Sequence, residues 1–437
     1  MTKSKLTRNV RKFTDSKFSW IINVMSCSTL YALSANIITL GIILPDFIHH
    51  FQVSQSKLGM LGSVKLAIFD LGSGLLGGPL TQKYGCRVIA MSGLMLAAMG
   101  TLAASFVDDY LWLMVTFSII PGFGLAGVFI PSSVIVHQYH NKRRALASSA
   151  TSAGLGLATF TFPVIMSLAI AKLGWRFALV MLAAIEMQMV AAAMMFMPNP
   201  DLRVKATQTP IQQEDLEDQE PTKPVEGKNQ KHKCNLDISL LKNPAFLLFI
   251  AAFALAGNAG SVYLSFAIHR GIFQGIDRIQ ASIIMVVFGS CSTGGRIGAG
   301  VLGNMQCTKN NSLSAACVFG TGIVTCVSLI AGDSLALHSV FAGLVGLLSG
   351  GFQGLYSTLL VDLVGLKQLP RAMGLVQMIK CLVTAVSLPI AGHLFDSTQN
   401  YEATYLLSGV TLIFSAGLLV LSGLINRRLS KELDEFN

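Results

Sequence analysis

The chain has 437 residues, of which 52% are hydrophobic and only 12% charged, and its mean hydropathy is +0.60. This composition is too apolar for a soluble globular protein, so it predicts an integral membrane protein. The formal net charge of +10 does not indicate nucleic-acid binding, because the basic residues gather in the loops on one side of the predicted membrane.

Twelve apolar segments are each about as long as the 20 residues that a helix needs to cross the hydrocarbon. They cover residues 18–44, 59–80, 88–107, 111–136, 145–171, 175–197, 244–269, 279–305, 313–332, 336–363, 372–395 and 403–425. If both termini are cytoplasmic, the loops and tails on that side hold 24 Lys and Arg and the opposite loops hold four, among them Arg270. This positive-inside distribution predicts cytoplasmic tails at residues 1–17 and 427–437.

The segments fall into two groups of six, 18–197 and 244–426, joined by the polar stretch 198–243. We expect this stretch to be a disordered cytoplasmic linker, since it has seven basic and eight acidic residues and few aromatics. KRRALAS at 142–148 and LPRAMGL at 369–375 begin corresponding segments of the two groups. Such parallel six-helix repeats are the arrangement of major facilitator transporters. GGPLTQKYGCR at 77–87 also resembles that superfamily's loop between the second and third helices, without its usual acid. The predicted fold is therefore an all-α membrane protein with twelve helices in two six-helix bundles.

The start of the fifth segment is similar to a signature of the monocarboxylate transporter family. The matching residues are Tyr139, Lys142, Arg143, Arg144, Leu146, Ala147, Ala153 and Gly154. A remnant of the family's first-helix motif survives as Asp15 and Trp20, and the stretches 174–176 and 361–365 resemble two further family turns. We predict gating or structural roles, rather than solute contacts, for the charged and aromatic residues near the cytoplasmic ends. These are Asp15, Trp20, Lys142, Arg143, Arg144, Asp362 and Arg371, with Asp362 expected to meet Arg371.

Arg296 lies within the eighth segment, where arginine at the membrane centre costs roughly 2.5–3.5 kcal/mol on insertion scales. Its planar guanidinium suits bidentate binding of a carboxylate, and the small residues around it leave room for a solute. An arginine that reaches lipid phosphates or braces a neighbouring helix is the alternative. The resemblance implies transport of small carboxylates with a proton, through a first-helix lysine and an eighth-helix Asp-x-x-x-Arg pair. Arg296 matches the arginine, but Ser292 replaces the aspartate and the first segment has no lysine.

The second segment offers a replacement in Lys65 and Asp70. We predict that Lys65 is the second cationic contact and Asp70 its counterion or proton acceptor, although five residues place them about 140° apart around a helix. Contacts with neighbouring helices are the alternative. Glu186 and Lys380 are the other candidates for proton coupling, each offsetting the burial cost of an opposite charge. The aromatic candidates for the solute wall are Tyr31, Phe69 and Tyr356.

No zinc-protease, P-loop or nucleophile-elbow pattern is present, and the eight cysteines lack metal-ligand spacing, so we expect neither an enzyme, a metal nor a cofactor. The predicted function is alternating-access transport of a small organic anion, with proton coupling left open. An uncoupled facilitator of a larger or neutral solute, such as an aromatic amino acid or hormone-like compound, and a non-transporting sensor or scaffold are the alternatives. The resemblance further implies the plasma membrane and a single-span ancillary glycoprotein as partner. The other expected partners are the solute, a proton if transport is coupled, and membrane lipid, whereas nucleic acid is not expected.

Overall fold

A computed structural model describes residues 13–53, 55–200, 238–276, 278–305, 309–332, 334–398 and 400–435. Over these ranges the regular structure is helical. The helices of the first half are α1 Lys17–Phe51, α2 Gln55–Gly72, α3 Gly78–Tyr84, α4 Cys86–Ala104, α5 Tyr110–Leu113, α6 Ile120–Tyr139 and α7 Arg144–Met194. Those of the second half are α8 Pro244–Phe273, α9 Arg278–Gly303, α10 Asn310–Val327, α11 Leu335–Thr398 and α12 Glu402–Glu435. Two π-helical turns, Ser73–Gly77 and Met114–Ile119, join α2 to α3 and α5 to α6.

Nine helical stretches within the described residues are long and apolar enough to cross a membrane. Many large apolar side chains face outward, among them Met99, Val164, Val386 and Phe414, each more than half exposed. A surface of this kind is stable in lipid and costly in water. The prediction of a helical membrane protein is therefore confirmed, whereas the count of twelve spans stays a prediction.

Helices α7 and α11 are each broken at one glycine. At about 1.5 Å per residue, their 51 and 64 residues are each more than twice the roughly 30 Å of hydrocarbon. Gly174 interrupts α7 with φ 82° and ψ 163°, and Gly365 interrupts α11 with φ 76° and ψ 165°. Only glycine adopts this region without steric clash. Gly85, between α3 and α4, has nearly the same angles. Each of the two long helices covers two of the predicted apolar segments.

The two halves are in direct contact along helices rich in small residues. α7 packs on α9 and α11, and α11 also packs on α2, α3 and α6. A Cβ atom on Gly78 would lie 2.6 Å from the carbonyl oxygen of Pro370, and one on Gly300 would lie 2.5 Å from the Cβ of Ser149. Both approaches are too close for any side chain, so these glycines let the helix backbones of the two halves touch.

Asp15 organises the end of the bundle that carries the loops at 84–86 and 139–144, called here the basic end. Its Oδ1 accepts hydrogen bonds from the backbone N–H groups of Asn141 and Lys142, at 3.0 and 3.3 Å. The Trp20 ring meets the His140 ring edge to face at 5.2 Å. Asp15 and Trp20 thus fix the loop that precedes α7. Most of the predicted linker, residues 201–237, lies outside the described residues.

Candidate functional site

A cavity of about 270 Å³ lies between the two halves. This volume is close to the lower end of the range for small-molecule sites, about 300 Å³. The first half contributes wall residues from α1, α2, α6 and α7, and the second half contributes residues from α8, α9, α10, α11 and α12. Among the residues that the structure describes, the walls are largely apolar and contain two cations, Arg296 and Lys380, but no carboxylate. The space therefore suits a small solute with a negative end.

Arg296 reaches this cavity from α9 while remaining 5% exposed. Its Nη1 donates to the carbonyl oxygen of Ser152 at 3.1 Å, and its Nη2 donates to Oε1 of Gln353. The Nε–H is buried and has no hydrogen-bond partner among the described residues. Within the described part of the chain, the guanidinium forms no ion pair with a carboxylate. The side chain thus faces the space between the halves, where the sequence predicted a solute contact.

Lys380, on α11, also lines the cavity and binds Asp70 of the other half. The Nζ of Lys380 lies 3.4 and 3.3 Å from Oδ1 and Oδ2 of Asp70, and Gln377 donates to Oδ1 at 3.1 Å. Asp70 is 6% exposed and is not part of the cavity wall. Lysine 380 is therefore the counterion of Asp70, so the predicted pairing of Asp70 with Lys65 is wrong.

Lys65 lies away from the cavity, inside the first half. Its Nζ donates to Oδ1 of Asn36 at 3.0 Å and lies 3.5 Å from the centroid of the Phe117 ring. The Nδ2 of Asn36 donates to Oε1 of Glu186 at 2.6 Å and to Thr101 at 3.0 Å. Lys65 and Glu186 are 1% and 0% exposed. Since five residues turn a helix by about 140°, Lys65 and Asp70 point to different neighbours.

The aromatic predictions divide in the same way. Phe69 and Tyr356 line the cavity, and the Tyr356 ring stacks on Phe253 at a centroid distance of 4.2 Å. Tyr31 instead bonds Thr161 within the first half at 3.0 Å. Ser292 packs its backbone against Gly350, whose Cβ would lie 2.2 Å from the Ser292 carbonyl oxygen. Tyr31 and Ser292 are absent from the cavity wall, which departs from their predicted role as solute contacts.

The sequence analysis missed the amide side chains that organise the buried charges. Gln353 binds Arg296, Gln377 binds Asp70, and Asn36 links Lys65 to Glu186. Uncharged amides are rare in apolar segments and expensive to bury without partners. Each lies in a predicted span, so a search for amides beside intramembrane charges would have found them.

A polar contact joins the two halves at the cavity wall. The Oγ atoms of Ser148 and Ser357 are 2.6 Å apart, and the Nε2 of His137 lies 2.9 Å from Oγ of Ser357. Ser148 also donates to the carbonyl oxygen of Gly354 at 3.1 Å. The serines line the cavity and the histidine lies beyond them, buried to 1% exposure. We call Ser148, Ser357 and His137 the serine–histidine contact.

The predicted gate residues lie near this contact. Lys142 and Arg143 are exposed, and Nε of Arg144 donates to the carbonyl oxygen of His140 at 3.2 Å. Asp362 interacts with Asn310 and Arg144. Arg371 is half-buried, and its backbone faces Gly78 across the halves. All of them lie outside the cavity wall.

One predicted loop residue is buried. Arg270, expected in a loop opposite the termini, is 2% exposed within α8. Its Nη2 donates to the carbonyl oxygen of Ser328 at 2.8 Å, and its guanidinium carbon lies 4.5 Å from the Tyr405 ring centroid. The helix continues further than the apolar stretch suggested, because Ser328 and Tyr405 supply partners for the charge.

Comparison with known proteins agrees with the fold. The family model described as Major Facilitator Superfamily matches residues 24–323. Similar relatives include monocarboxylate transporter 13 of Bos taurus, 25% identical over 93% of this chain and 89% of its own. Monocarboxylate transporter 11 of Homo sapiens is 28% identical over 93% of this chain and 83% of its own. The resemblance to monocarboxylate transporters is thereby confirmed.

Among solved structures, the E. coli fucose:proton symporter FucP has 15% sequence identity and a TM-score of 0.68, covering 93% of this chain and 99% of its own. The proton:xylose symporter XylE has 12% identity and a TM-score of 0.71, covering 92% of this chain and 95% of its own. At such identities the likeness shows the fold alone. With a family model that matches more than half of its residues, the chain belongs to the major facilitator superfamily.

Proposed function

We propose that this chain is a secondary transporter that carries a small organic anion, with a carboxylate as its charged group, by alternating access. One observation carries the proposal: Arg296 lies in the cavity between the halves with neutral hydrogen-bond acceptors as its partners. We further propose that the two halves, 18–197 and 244–426, are the two moving bundles, with the basic end in the cytoplasm and the protein in the plasma membrane.

The electrostatics of Arg296 favour an anionic cargo. A buried guanidinium has lost most of its hydration, and a carbonyl and an amide replace only part of it. Of its N–H groups, the Nε–H has no partner in the described part of the chain. A carboxylate accepts two parallel hydrogen bonds from a guanidinium, and such charge-assisted bonds are about twice as strong as neutral ones. The unfilled bonding capacity of Arg296 therefore selects an anion over a neutral solute.

Proton coupling is part of the proposal, with Asp70, Lys380 and Glu186 as its candidates. Asp70 and Lys380 support it best, because Lys380 lines the cavity and Asp70 binds it across the halves. Glu186 is far less accessible, being fully buried behind Asn36. Lys65, Tyr31 and Ser292 have no part in the proposed cargo site. From the family resemblance we retain the ancillary glycoprotein as a proposed partner.

The aromatic walls favour a second candidate, transport of an aromatic amino acid. Phe69, Phe253, Phe352 and Tyr356 all line the cavity, and Tyr356 stacks on Phe253. Aromatic side chains offer flat apolar surfaces on which a ring can stack. The carboxylate of such a zwitterion would bind the same arginine, Arg296. The two candidate functions therefore differ in the size of the transported solute and in whether the transporter prefers a solute with an aromatic ring.

Uptake into proteoliposomes tests the proposal. We expect radiolabelled acetate, pyruvate, benzoate or phenylalanine to enter vesicles that contain the full chain, and Arg296→Ala to abolish that uptake. Arg296→Lys keeps the charge but loses the bidentate geometry, so a partial loss is expected. The exposed Arg428, changed to Ala, is the matched control. Uptake of all four solutes that is no faster than in empty vesicles, or that survives Arg296→Ala, would refute the proposal.

A further inference from the structure

The ion pair between Asp70 and Lys380 joins the two halves beside the cavity. Asp70 belongs to α2 of the first half, and Lys380 to the part of α11 that follows Gly365 in the second half. Lys380 faces the cavity with 23% of its side chain exposed, whereas the Asp70 side chain behind it is 8% exposed. An anion that enters the cavity therefore meets the ammonium before it meets the carboxylate.

The geometry of the pair is that of a weak contact. Its N–O distances of 3.3 and 3.4 Å exceed the roughly 2.7–2.9 Å of strong charge-assisted hydrogen bonds. The aliphatic part of Lys380 packs on Gly257, whose Cβ position would lie 3.7 Å from Cδ of the lysine. Because this neighbour has no side chain, the ammonium can swing toward the cavity without displacing one.

Losing Lys380 would leave the Asp70 carboxylate buried with one neutral donor, Gln377. In the described part of the chain, the other titratable groups that interact with Asp70 are the phenol of Tyr356 and the thiol of Cys381, and neither is a cation. A buried carboxylate without a cation is far less stable ionised than protonated. Separation of the pair and binding of a proton to Asp70 are thus linked events.

Building on the proposed function, we propose that the cargo carboxylate displaces Asp70 from Lys380 and that Asp70 then binds a proton, so that anion and proton cross together. Before cargo binds, the site holds one ammonium and one carboxylate. Afterwards it holds the ammonium, the cargo carboxylate and a neutral Asp70, the proton having come from the medium onto a carboxylate oxygen of Asp70. The charge within the membrane is unchanged. Arg296 and Lys380 are the two cations of the described cavity wall, so the cargo carboxylate that Arg296 binds also attracts the ammonium of Lys380 away from Asp70.

The replacement of Asp70 by the cargo carboxylate at Lys380 supplies the proton coupling that the missing eighth-helix aspartate cannot. It also predicts that loss of Asp70 affects net uptake of cargo but not the exchange of cargo across the membrane. Without a titratable group at position 70, cargo still binds and exchanges for cargo on the other side. The empty transporter, however, would then carry an unpaired buried ammonium, so its return and hence net uptake are slowed.

Asp70→Asn in proteoliposomes tests the inference, with radiolabelled pyruvate, benzoate and phenylalanine as probes. We expect exchange of cargo against the same unlabelled compound to stay within about twofold of wild type, and stimulation by an inward acid gradient to fall about tenfold or more. Lys380→Gln should instead weaken the exchange itself. Glu402→Gln and Lys309→Gln remove exposed charges and are the matched controls.

Each outcome has one meaning. Acid stimulation that survives in Asp70→Asn overturns this inference alone. A wild-type protein that transports a probe without acid stimulation overturns this inference and the proposed proton coupling, and leaves anion transport through Arg296 intact. A wild-type protein that moves none of the probes overturns both. Because asparagine retains the shape of the side chain and its bond to Gln377, a folded variant is expected, and size-exclusion chromatography in detergent checks this before transport is measured.

Discussion

The buried network around Asn36 allows a sharp test of what Lys65 does. The bonds from Lys65 to Asn36 and from Asn36 to Glu186 are 3.0 and 2.6 Å long. Adding the roughly 2.3 Å between the O and N atoms of one carboxamide places ammonium and carboxylate about 6–8 Å apart. At an effective dielectric constant near 20, their attraction is about 2–3 kcal/mol. Lys65→Met removes it and leaves Glu186 buried without a cation.

We therefore expect Lys65→Met to lower the free energy of unfolding by about 3–5 kcal/mol, as is typical when one partner of a buried pair is removed. The double variant Lys65→Met/Glu186→Gln removes both charges while keeping an acceptor for Asn36, so most of the loss should be recovered. Unfolding of the purified variants in increasing sodium dodecyl sulfate measures the free energy of unfolding of the single and the double variant. The double variant should also take up solute. A double variant that folds normally but transports nothing would refute this reasoning, since Lys65 or Glu186 would then take part in transport itself.

Two further predictions concern the ends of the bundle. The double variant Ser148→Cys/Ser357→Cys, in a background without other cysteines, should form a disulfide, because the Oγ atoms of the two serines are 2.6 Å apart across the halves. Oxidation should stop uptake, and reduction by dithiothreitol should restore it. Uptake that is unaffected by the cross-link would show that the halves need not separate at this contact. Arg176, with a second contribution from His50, lowers the pKa of the exposed Asp108. The contact of Asp108 with these two residues therefore stabilises the fold fully above the ordinary pKa of an aspartate, and this stabilisation is lost as the pH falls through the lowered pKa of Asp108. Melting curves of wild type and Arg176→Ala should therefore differ near neutrality and converge in acid, and a gap that widens in acid would contradict this.

The sequence predicted the fold well because lipid leaves few alternatives. Backbone groups in hydrocarbon must be bonded within the segment, so long apolar runs become helices, and loop charge patterns follow the membrane sides. The predicted segments accordingly coincide with helices, and positive-φ glycines at 174 and 365 mark turns between them. The extent of α8 around Arg270 was not predicted, because a charged residue after an apolar segment indicates a loop when its bonding partners are unknown.

The site was predicted less completely. Arg296, Phe69 and Tyr356 were found because a midspan cation and nearby aromatics are visible in the sequence; they line the cavity, and their contact with a solute stays a prediction. The partners of Lys65 and Lys380 were not, because Asn36 and Asp70 lie on other helices, 29 and 310 positions away in the chain. Helical phase separates Lys65 from Asp70, but it does not reveal which neighbour each side chain meets. Pairing across two halves is a tertiary property that one sequence does not encode locally.

The glycine contacts between the halves bear on how such a protein changes shape. Where side chains of two domains interdigitate, they must change rotamer before one domain can rotate against the other. At Gly74 a Cβ would lie 2.7 Å from Cβ of Met378 and 2.8 Å from the carbonyl oxygen of Gly374, so the first half presents no side chain there, as at Gly78. If the halves rock against one another as proposed, glycine contacts of this kind require few side chains to change rotamer. A bulky residue in place of any of these glycines would block this movement. The transporter would then stay in one orientation, although the residues of its binding site are unchanged.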